Sequence, residues 1–549
     1  REGGDVPMIE TSPVRHPHVF PKGPFRGLNT RATTAATGLV GLWVMLGTWR
    51  PDLVAEALSD VRSATGPTLG WYYVLLVTVI LVIVLWLGLG RYRNVRLGKD
   101  NERPEFGMVS WMAMLFAAGT GVGLLFWSIA EPISHFQGNP FSDNPGTPEA
   151  AVDAARLTLF HWGLHGWAIF ALMGAMLAYF SYRGNLPLTT RSALYPLIGE
   201  RIYGWRGDLV DTFAVVSTVF GITTTLGLGA AQMNAGLHWL VGIDISVGRQ
   251  LTIILFVTSL AIFSVVSGVR RGVRWLSIGN MWLGVGLLMF FLIIGPTSWL
   301  LRFIIQSAGS YGQHLIEMSF WTNVTGTSGW QQSWTVFYWG WWLSWTPFVG
   351  MFIARISRGR TLREFVFAVL LVPTLFSLIW IGGLGGTALH NELYGLGGIA
   401  DAVTRDVTLA LYETIDVIAT PGLSTVAAII ATVLIATFFV TSADSGILVI
   451  VTILALGESD PPITPRIFWG VGIGALTAVL LAGGGVTTLQ SAVVIAGLPF
   501  SFVVLAMAIG FLKALRSEPQ APRDPEKIRL PTEPWTGIDT KQEGEHSAG

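Results

Sequence analysis

A segment that crosses a bilayer needs about 20 consecutive, mostly apolar residues, and this chain supplies such segments repeatedly. They lie near 34–50, 70–90, 108–130, 155–182, 209–240, 249–267, 275–301, 331–354, 364–388, 424–450, 466–482 and 488–512, twelve in all. In lipid every backbone amide must find its partner inside the protein, so segments of this length imply α-helices. The expected fold is an all-α polytopic membrane protein with twelve transmembrane helices. Only 12% of the 549 residues are charged, about half the share in a soluble domain. Thirty-four Lys and Arg balance thirty-four Asp and Glu, which leaves no net field to draw a nucleic acid. There is no cysteine, which excludes disulfides, thiolate chemistry and Cys-type zinc sites. No leader with a cleavage site is read after Arg1.

Short cytoplasmic loops carry an excess of Lys and Arg, and alternate loops here differ sharply. Basic residues gather in the N-terminal segment (Arg15, Lys22, Arg26, Arg31) and in the loops around Arg91–Arg103, Arg183–Arg206, Arg270–Arg274 and Arg355–Arg363. The intervening loop 131–154 has neither Lys nor Arg, and 389–423 has only Arg405. The expectation is a plasma (inner) membrane protein with both termini cytoplasmic. Stretches 309–322 and 397–418 are amphipathic, as outer interfacial helices or as ordinary loop helices. The tail from Lys513 mixes six basic with seven acidic residues and reads as a polar segment.

Three spans carry unusual patterns. The third holds Ala117-Ala118-Gly119-Thr120-Gly121-Val122-Gly123. Alternating glycines lower the cost of unwinding a helix, and a break exposes carbonyls and amides at membrane depth. A close-packed small-residue helix contact is the other reading. The eighth runs Trp334 to Phe348 with Trp339, Trp341, Trp342 and Trp345 inside the span, whereas interfacial tryptophans belong at helix ends. Trp342 and Trp345 are one turn apart and can wall a cavity. Ring faces bind quaternary ammonium through cation–π attraction. His161, Trp162, His165, Trp167 and Phe170 form a second aromatic group in the fourth span. His161 and His165 have helical metal spacing, but no nearby Glu or Cys completes a site. The tenth holds Phe438-Phe439-Val440-Thr441-Ser442-Ala443-Asp444-Ser445. Its hydroxyls suit sodium. Asp444 is either a functional intramembrane acid or a structural one that caps a helix or pairs with an arginine.

These residues resemble the betaine/carnitine/choline transporter family over roughly 20–510, and most of all its sodium-coupled glycine betaine symporters. The most specific segment runs from Trp334 through Trp345-Thr346-Pro347-Phe348-Val349-Gly350 into Ala354-Arg355-Ile356-Ser357-Arg358-Gly359-Arg360. The resemblance implies a LeuT-like core of two inverted repeats, spans 3–7 and 8–12, with spans 1 and 2 peripheral, and a homotrimer. It divides the chain into a cytoplasmic segment 1–33, peripheral spans with a loop 34–107, a first repeat 108–308, a connector 309–330, a second repeat 331–512 and a tail 513–549. It implies a tryptophan box of Trp162, Trp167, Phe170 and Trp342, with Trp341 and Trp345 nearby. The family's betaine symporters carry tyrosine where Phe170 stands. The substrate carboxylate would face Gly119, Gly121 and Gly123. Choline-preferring members tend to carry aspartate at the position of Gly123, so glycine there favours a zwitterion.

Sodium, the implied coupling ion, maps onto Ala117, Thr120, Phe438, Thr441 and Ser442, and no cofactor is expected. Met281 stands where sodium-independent relatives carry an arginine. A second sodium site maps onto Thr218 and Phe348 but meets Ile222 at a threonine position, with Thr223 adjacent. The long basic tail of osmosensing relatives has no counterpart here.

The function implied is secondary active uptake of a zwitterionic quaternary-ammonium osmolyte, glycine betaine first, with sodium. Ectoine and dimethylsulfoniopropionate fit the same chemistry, and a sodium-independent carnitine/betaine exchanger is the rival within transport. A membrane enzyme would need an acid, base or metal constellation. His161, His165 and Asp444 offer no catalytic spacing.

Overall fold

The computed structural model describes residues 18–119, 121–267, 270–326, 329–458 and 460–518. Helix α1 (Thr30–Trp49) starts on Asn29, whose side chain accepts from the Ala32 N–H, a favourable N-cap. It is followed by α2 (Pro51–Leu89). The third span is two helices, α3 (Met108–Gly119) and α4 (Val122–Gln137), bent by 60°. Of the two readings of the glycine run, the broken helix is the one realised. The fourth span is also interrupted, into α5 (Pro148–Trp162) and α6 (Leu164–Ala178), with Gly163 at φ −102°, ψ −136° between them. A short α7 (Tyr195–Ile198) precedes α8 (Trp205–Val241), α9 (Val247–Ser267) and α10 (Arg270–Ile294).

Gly295-Pro296 ends α10, since the proline cannot continue a hydrogen-bonded helix. The chain resumes as α11 (Thr297–Gln313) and α12 (Leu315–Phe320). The amphipathic connector therefore begins a dozen residues earlier than 309, and the seventh span stops at Ile294 rather than 301. After α13 (Trp330–Ser333) come α14 (Thr335–Ile356) and α15 (Leu362–Tyr394). The latter opens on a capping box in which Thr361 and Glu364 satisfy each other's backbone N–H. The second amphipathic stretch forms α16 (Ile399–Arg405) and α17 (Ala410–Ile418), whose apolar residues Ile399, Leu411 and Ile415 are buried against α4 and α18. They are loop helices packed on protein. The chain ends in α18 (Pro421–Leu454) and α19 (Ile463–Arg516).

Among the described residues eight helical spans are long and apolar enough to cross a membrane, with α5 and α6 together forming one of them (Pro148–Arg183), or nine if the bent pair α3–α4 counts as one span. The count of twelve read from the sequence is not reproduced by that measure. Two of the twelve segments merge in α19, whose 54 residues contain non-helical backbone at Gly484 and Gly485 (φ 66°, ψ −147°). At 1.5 Å per residue such a helix is about 80 Å long, well beyond one crossing. Two others are α1 and α14, long enough but less apolar than that measure demands.

Burial sorts the spans by role. Helices α9 and α10 expose Leu255, Phe256, Phe263, Trp282 and Ile293, apolar faces suited to lipid. By contrast α14 is buried along nearly its whole length, against α6, α8 and α19. At its crossing with α19 a Cβ on Gly497 would lie 2.6 Å from the Gly340 carbonyl oxygen, and one on Gly340 would lie 2.8 Å from Val494 Cα. Glycine is what lets these backbones touch.

The basic half of the most specific sequence segment proves structural. Ser357 accepts from Trp111 Nε1 at 3.0 Å. The Arg360 guanidinium lies 4.4 Å over the Trp111 ring and donates to Phe106 O at 2.6 Å. These contacts latch the 90–107 loop and the start of α3 to the end of α14.

A buried ion cluster fixes the start of α8. Arg191 donates to Asp211 at 2.6 Å and to Asp208 at 3.0 Å, and Asp208 also accepts from Asn29 Nδ2 at 2.6 Å. Removing one partner leaves a buried charge uncompensated, which costs about 3 kcal/mol or more. Asp211→Ala should therefore lower the melting midpoint in detergent by several degrees more than Arg358→Ala on the exposed rim. Equal midpoints for the two variants would contradict this.

Candidate functional site

The break in the third span, the interrupted fourth span and the aromatic face of α14 meet around one cavity of about 50 Å³. Gly119, Gly121 and Gly123, Trp162, Trp167 and Phe170, and Trp341, Trp342 and Trp345 all line it. Every residue expected at the substrate is thus in one place. Trp162 stands edge-on to Trp342, with centroids 4.9 Å apart at 76°, while Trp341 stacks on Trp342 at 4.9 Å and 13°. Phe170 closes a further side, 5.4 Å from Trp167 and 5.8 Å from Trp342. The rings are held from behind. Trp342 Nε1 donates to His161 O at 2.9 Å, and Trp341 stacks on Phe337 at 5.4 Å. Indole N–H groups are usually paired when buried, yet Nε1 of Trp341 and of Trp345 have no partner. Among the described residues no Asp, Glu, Lys or Arg lines the cavity, and His161 is the one titratable side chain on it.

Glycine is required at 123 by this packing. A Cβ there would lie 2.6 Å from Trp341 Cη2 and 3.3 Å from Trp162 Cη2. Helix α4 begins at Val122 after Gly121, which offers no side-chain cap, so its first amides and the positive end of its dipole stand at the cavity wall.

The ion-site residues are placed as follows. Thr120 lies outside the described residues. Phe438 borders a small void of about 10 Å³ together with Gly121, Asn280 and Met281. The Thr441 hydroxyl donates to Thr437 O at 3.1 Å and Phe438 O at 3.2 Å and accepts from Asn280 Nδ2 at 3.5 Å, and Ser442 follows it in α18. Asn280 Oδ1, a residue the sequence reading passed over, is buried there without a partner. Hydroxyl and amide oxygens of this kind are the ligand type that a hard cation takes. At the second expected site, Thr218 donates to Ala214 O at 2.7 Å within its own helix, and Phe348 packs edge-on to Trp345 at 5.2 Å. The Ile222 side chain fills the space beside Gly446, where a Cβ would meet its Cδ1 at 2.3 Å. Thr223 Oγ1 is buried and unpartnered.

Two expectations are corrected. Asp444 lies inside α18 rather than at its end, so it caps no helix; the arginine whose charge acts on it is Arg466, which makes its close ion pair with Asp460 at 2.7 Å. The statement that no Glu accompanies the fourth-span histidines also fails, because Glu131 of α4 meets His161 Nδ1 at 2.6 Å. Its companion is His135 at 3.3 Å, not His165, which bonds Ser319 Oγ at 2.9 Å. The interruption at Gly163 takes His161 and His165 off a common helical face. Glu131, His135 and His161 offer ligand atoms within 4.8 Å of one another, the spacing of a metal site. Each of those atoms is already in a hydrogen bond. An acid inside the apolar stretch 122–137 was the signal that could have found Glu131.

Residues 32–520 match the family model of BCCT, the betaine/carnitine/choline family transporter. The chain is 42% identical over 493 residues to a glycine betaine transporter of Acinetobacter baylyi, covering 90% of this chain and 74% of that protein. It is 43% identical to an osmo-dependent choline transporter of the same organism, covering 85% and 68% of the two chains. It is 40% identical to the glycine betaine transporter OpuD of Bacillus subtilis, covering 91% and 96%. With helices apolar enough to cross a membrane and a match along most of its length, the chain is a multi-pass membrane transporter, not an enzyme, and belongs to the betaine/carnitine/choline transporter family.

Proposed function

We propose that this transporter imports a zwitterionic quaternary-ammonium osmolyte, glycine betaine first, together with sodium by alternating access. The observation that carries the reading is a cavity walled by ring faces and glycine backbone, with no Asp, Glu, Lys or Arg among the described residues that line it. A trimethylammonium head donates no hydrogen bond, so ring faces are its natural partners. A carboxylate finds the opening amides of α4 and the unpaired indole N–H groups. The similar proteins are named for betaine or for choline, and Gly123 supports betaine because no carboxylate stands there to neutralise a bare cation.

Sodium coupling is supported by the hydroxyl and carbonyl set around Thr441 and by Met281, which brings no positive charge to that corner. Each net charge carried inward gains about 2.3 kcal/mol per 100 mV, roughly fortyfold accumulation. The test is uptake of labelled glycine betaine into proteoliposomes, with an inward sodium gradient and then with potassium in its place. Accumulation should require sodium, and the initial rate should rise with a Hill slope near 1 because Ile222 removes a ligand from the second site. Rapid counterflow from preloaded vesicles without sodium-driven accumulation would make the protein an exchanger. Ser442→Ala should raise the sodium concentration for half-maximal rate about tenfold, the effect of losing roughly 1.4 kcal/mol.

A further inference from the structure

We infer that Glu131, which does not touch the cavity, is the counter-charge of the cage. This rests on the reading that the cage takes a quaternary ammonium head. Glu131 is fully buried on α4 and its carboxylate receives four contacts from three helices. Oε1 meets His161 Nδ1 at 2.6 Å and His135 Nε2 at 3.3 Å. Oε2 accepts from Trp162 Nε1 at 2.9 Å and from the Tyr338 hydroxyl in a short hydrogen bond.

The other partners of the two imidazoles are compatible with both ring protons pointing at Glu131. Trp330 Nε1, which can only donate, meets His135 Nδ1 at 3.2 Å, so the His135 proton sits on Nε2 and points at Glu131. Thr335 Oγ1 lies 3.1 Å from His161 Nε2. With the hydroxyl donating there, the His161 proton sits on Nδ1 and also points at Glu131. Every proton is then satisfied by neutral imidazoles and an ionised carboxylate that accepts four hydrogen bonds, its full capacity. Among the described residues no Lys or Arg nitrogen forms an ion pair with it.

An unpaired negative charge in a buried site is costly unless something compensates it, and the missing partner is a cation. Trp162 links the two: its N–H is bound to Glu131 and its ring lines the cavity. A carboxylate on the indole N–H pushes electron density toward the ring face and so strengthens its attraction for a cation. The charge also acts directly across the ring in a medium of low dielectric. Glu131 is a positioning and polarising residue that lets an uncharged cavity wall select a positive head.

The test compares binding of glycine betaine with that of 3,3-dimethylbutanoate, which has the same shape and carboxylate but a neutral tert-butyl head, both read by displacement of labelled betaine from the reconstituted full chain. Glu131→Gln should weaken betaine about tenfold and shift 3,3-dimethylbutanoate by less than twofold. Tyr338→Phe removes one donor and leaves the carboxylate less neutralised, so it should tighten betaine severalfold. Equal losses for both ligands in Glu131→Gln would show that the residue merely holds Trp162 in place and would overturn the inference. Should Glu131→Gln fail to reach the membrane, weaker betaine binding in Tyr338→Phe overturns it alone. A wild-type protein that binds neither betaine nor choline would instead sink the cage reading itself.

Discussion

Trp342→Ala should weaken binding of a trimethylammonium substrate more than a hundredfold while the protein still inserts in the membrane. Trp342 faces Trp162, Trp341 and Phe170 at once, with centroids 4.9 to 5.8 Å away, so its removal opens three sides of the box. The lost cation–π attraction is worth about 2 kcal/mol when desolvated, and a truncated central aromatic anchor costs about 2 kcal/mol or more. Even partial overlap of the two gives about 3 kcal/mol. The indole N–H bond to His161 O also goes, but it is one contact in a large helical core. Trp342→Phe keeps a ring face and should recover part of the affinity. Half-saturation for uptake, with the amount of protein in the membrane fraction as control, reads the effect. An unchanged apparent affinity in Trp342→Ala would remove the cage from the account.

Substitution at Gly123 should change both affinity and preference. Trp341 cannot yield to a new Cβ 2.6 Å away, because it is stacked between Phe337 and Trp342. Overpacking a filled site costs about 1–3 kcal/mol, so Gly123→Ala should weaken betaine roughly thirtyfold. Gly123→Asp pays the same steric cost and adds a carboxylate beside the ligand. Two like charges about 5 Å apart repel by about 3 kcal/mol at an effective dielectric of 20, a penalty that betaine's carboxylate meets and choline's hydroxyl does not. Competition assays with both ligands should show the betaine-to-choline preference falling by about a hundredfold from wild type to Gly123→Asp. A constant ratio would mean that the substrate carboxylate does not lie near α4.

Much of the site was legible because the chemistry left marks within single spans. Four tryptophans inside α14 contradict the interfacial habit of that residue, and alternating glycines in the middle of an apolar run announce a break. The Glu131 network was not legible. Its partners stand 4, 30, 31 and 207 residues away along the chain, and no periodicity links an acid on α4 to a tyrosine on α14. The His161–His165 spacing misled for a local reason. Helical spacing places two side chains together only if the helix is continuous, and Gly163 interrupts it.

By itself the sequence determined the class of the molecule, the approximate course of its membrane segments and the residue types of the cavity. Lipid enforces a helix wherever about 20 apolar residues run together, and that rule needs no tertiary information. Only the tertiary structure decided that the bent third span, the split fourth span and α14 close around one cavity, because nearest neighbours there are set by packing between distant segments. It also decided that the arginine segment after α14 is a latch for a loop, and that the buried acid beside the cage is Glu131. A carboxylate deep in the protein must be matched by donors that arrive from other helices, and only the folded chain brings them to it.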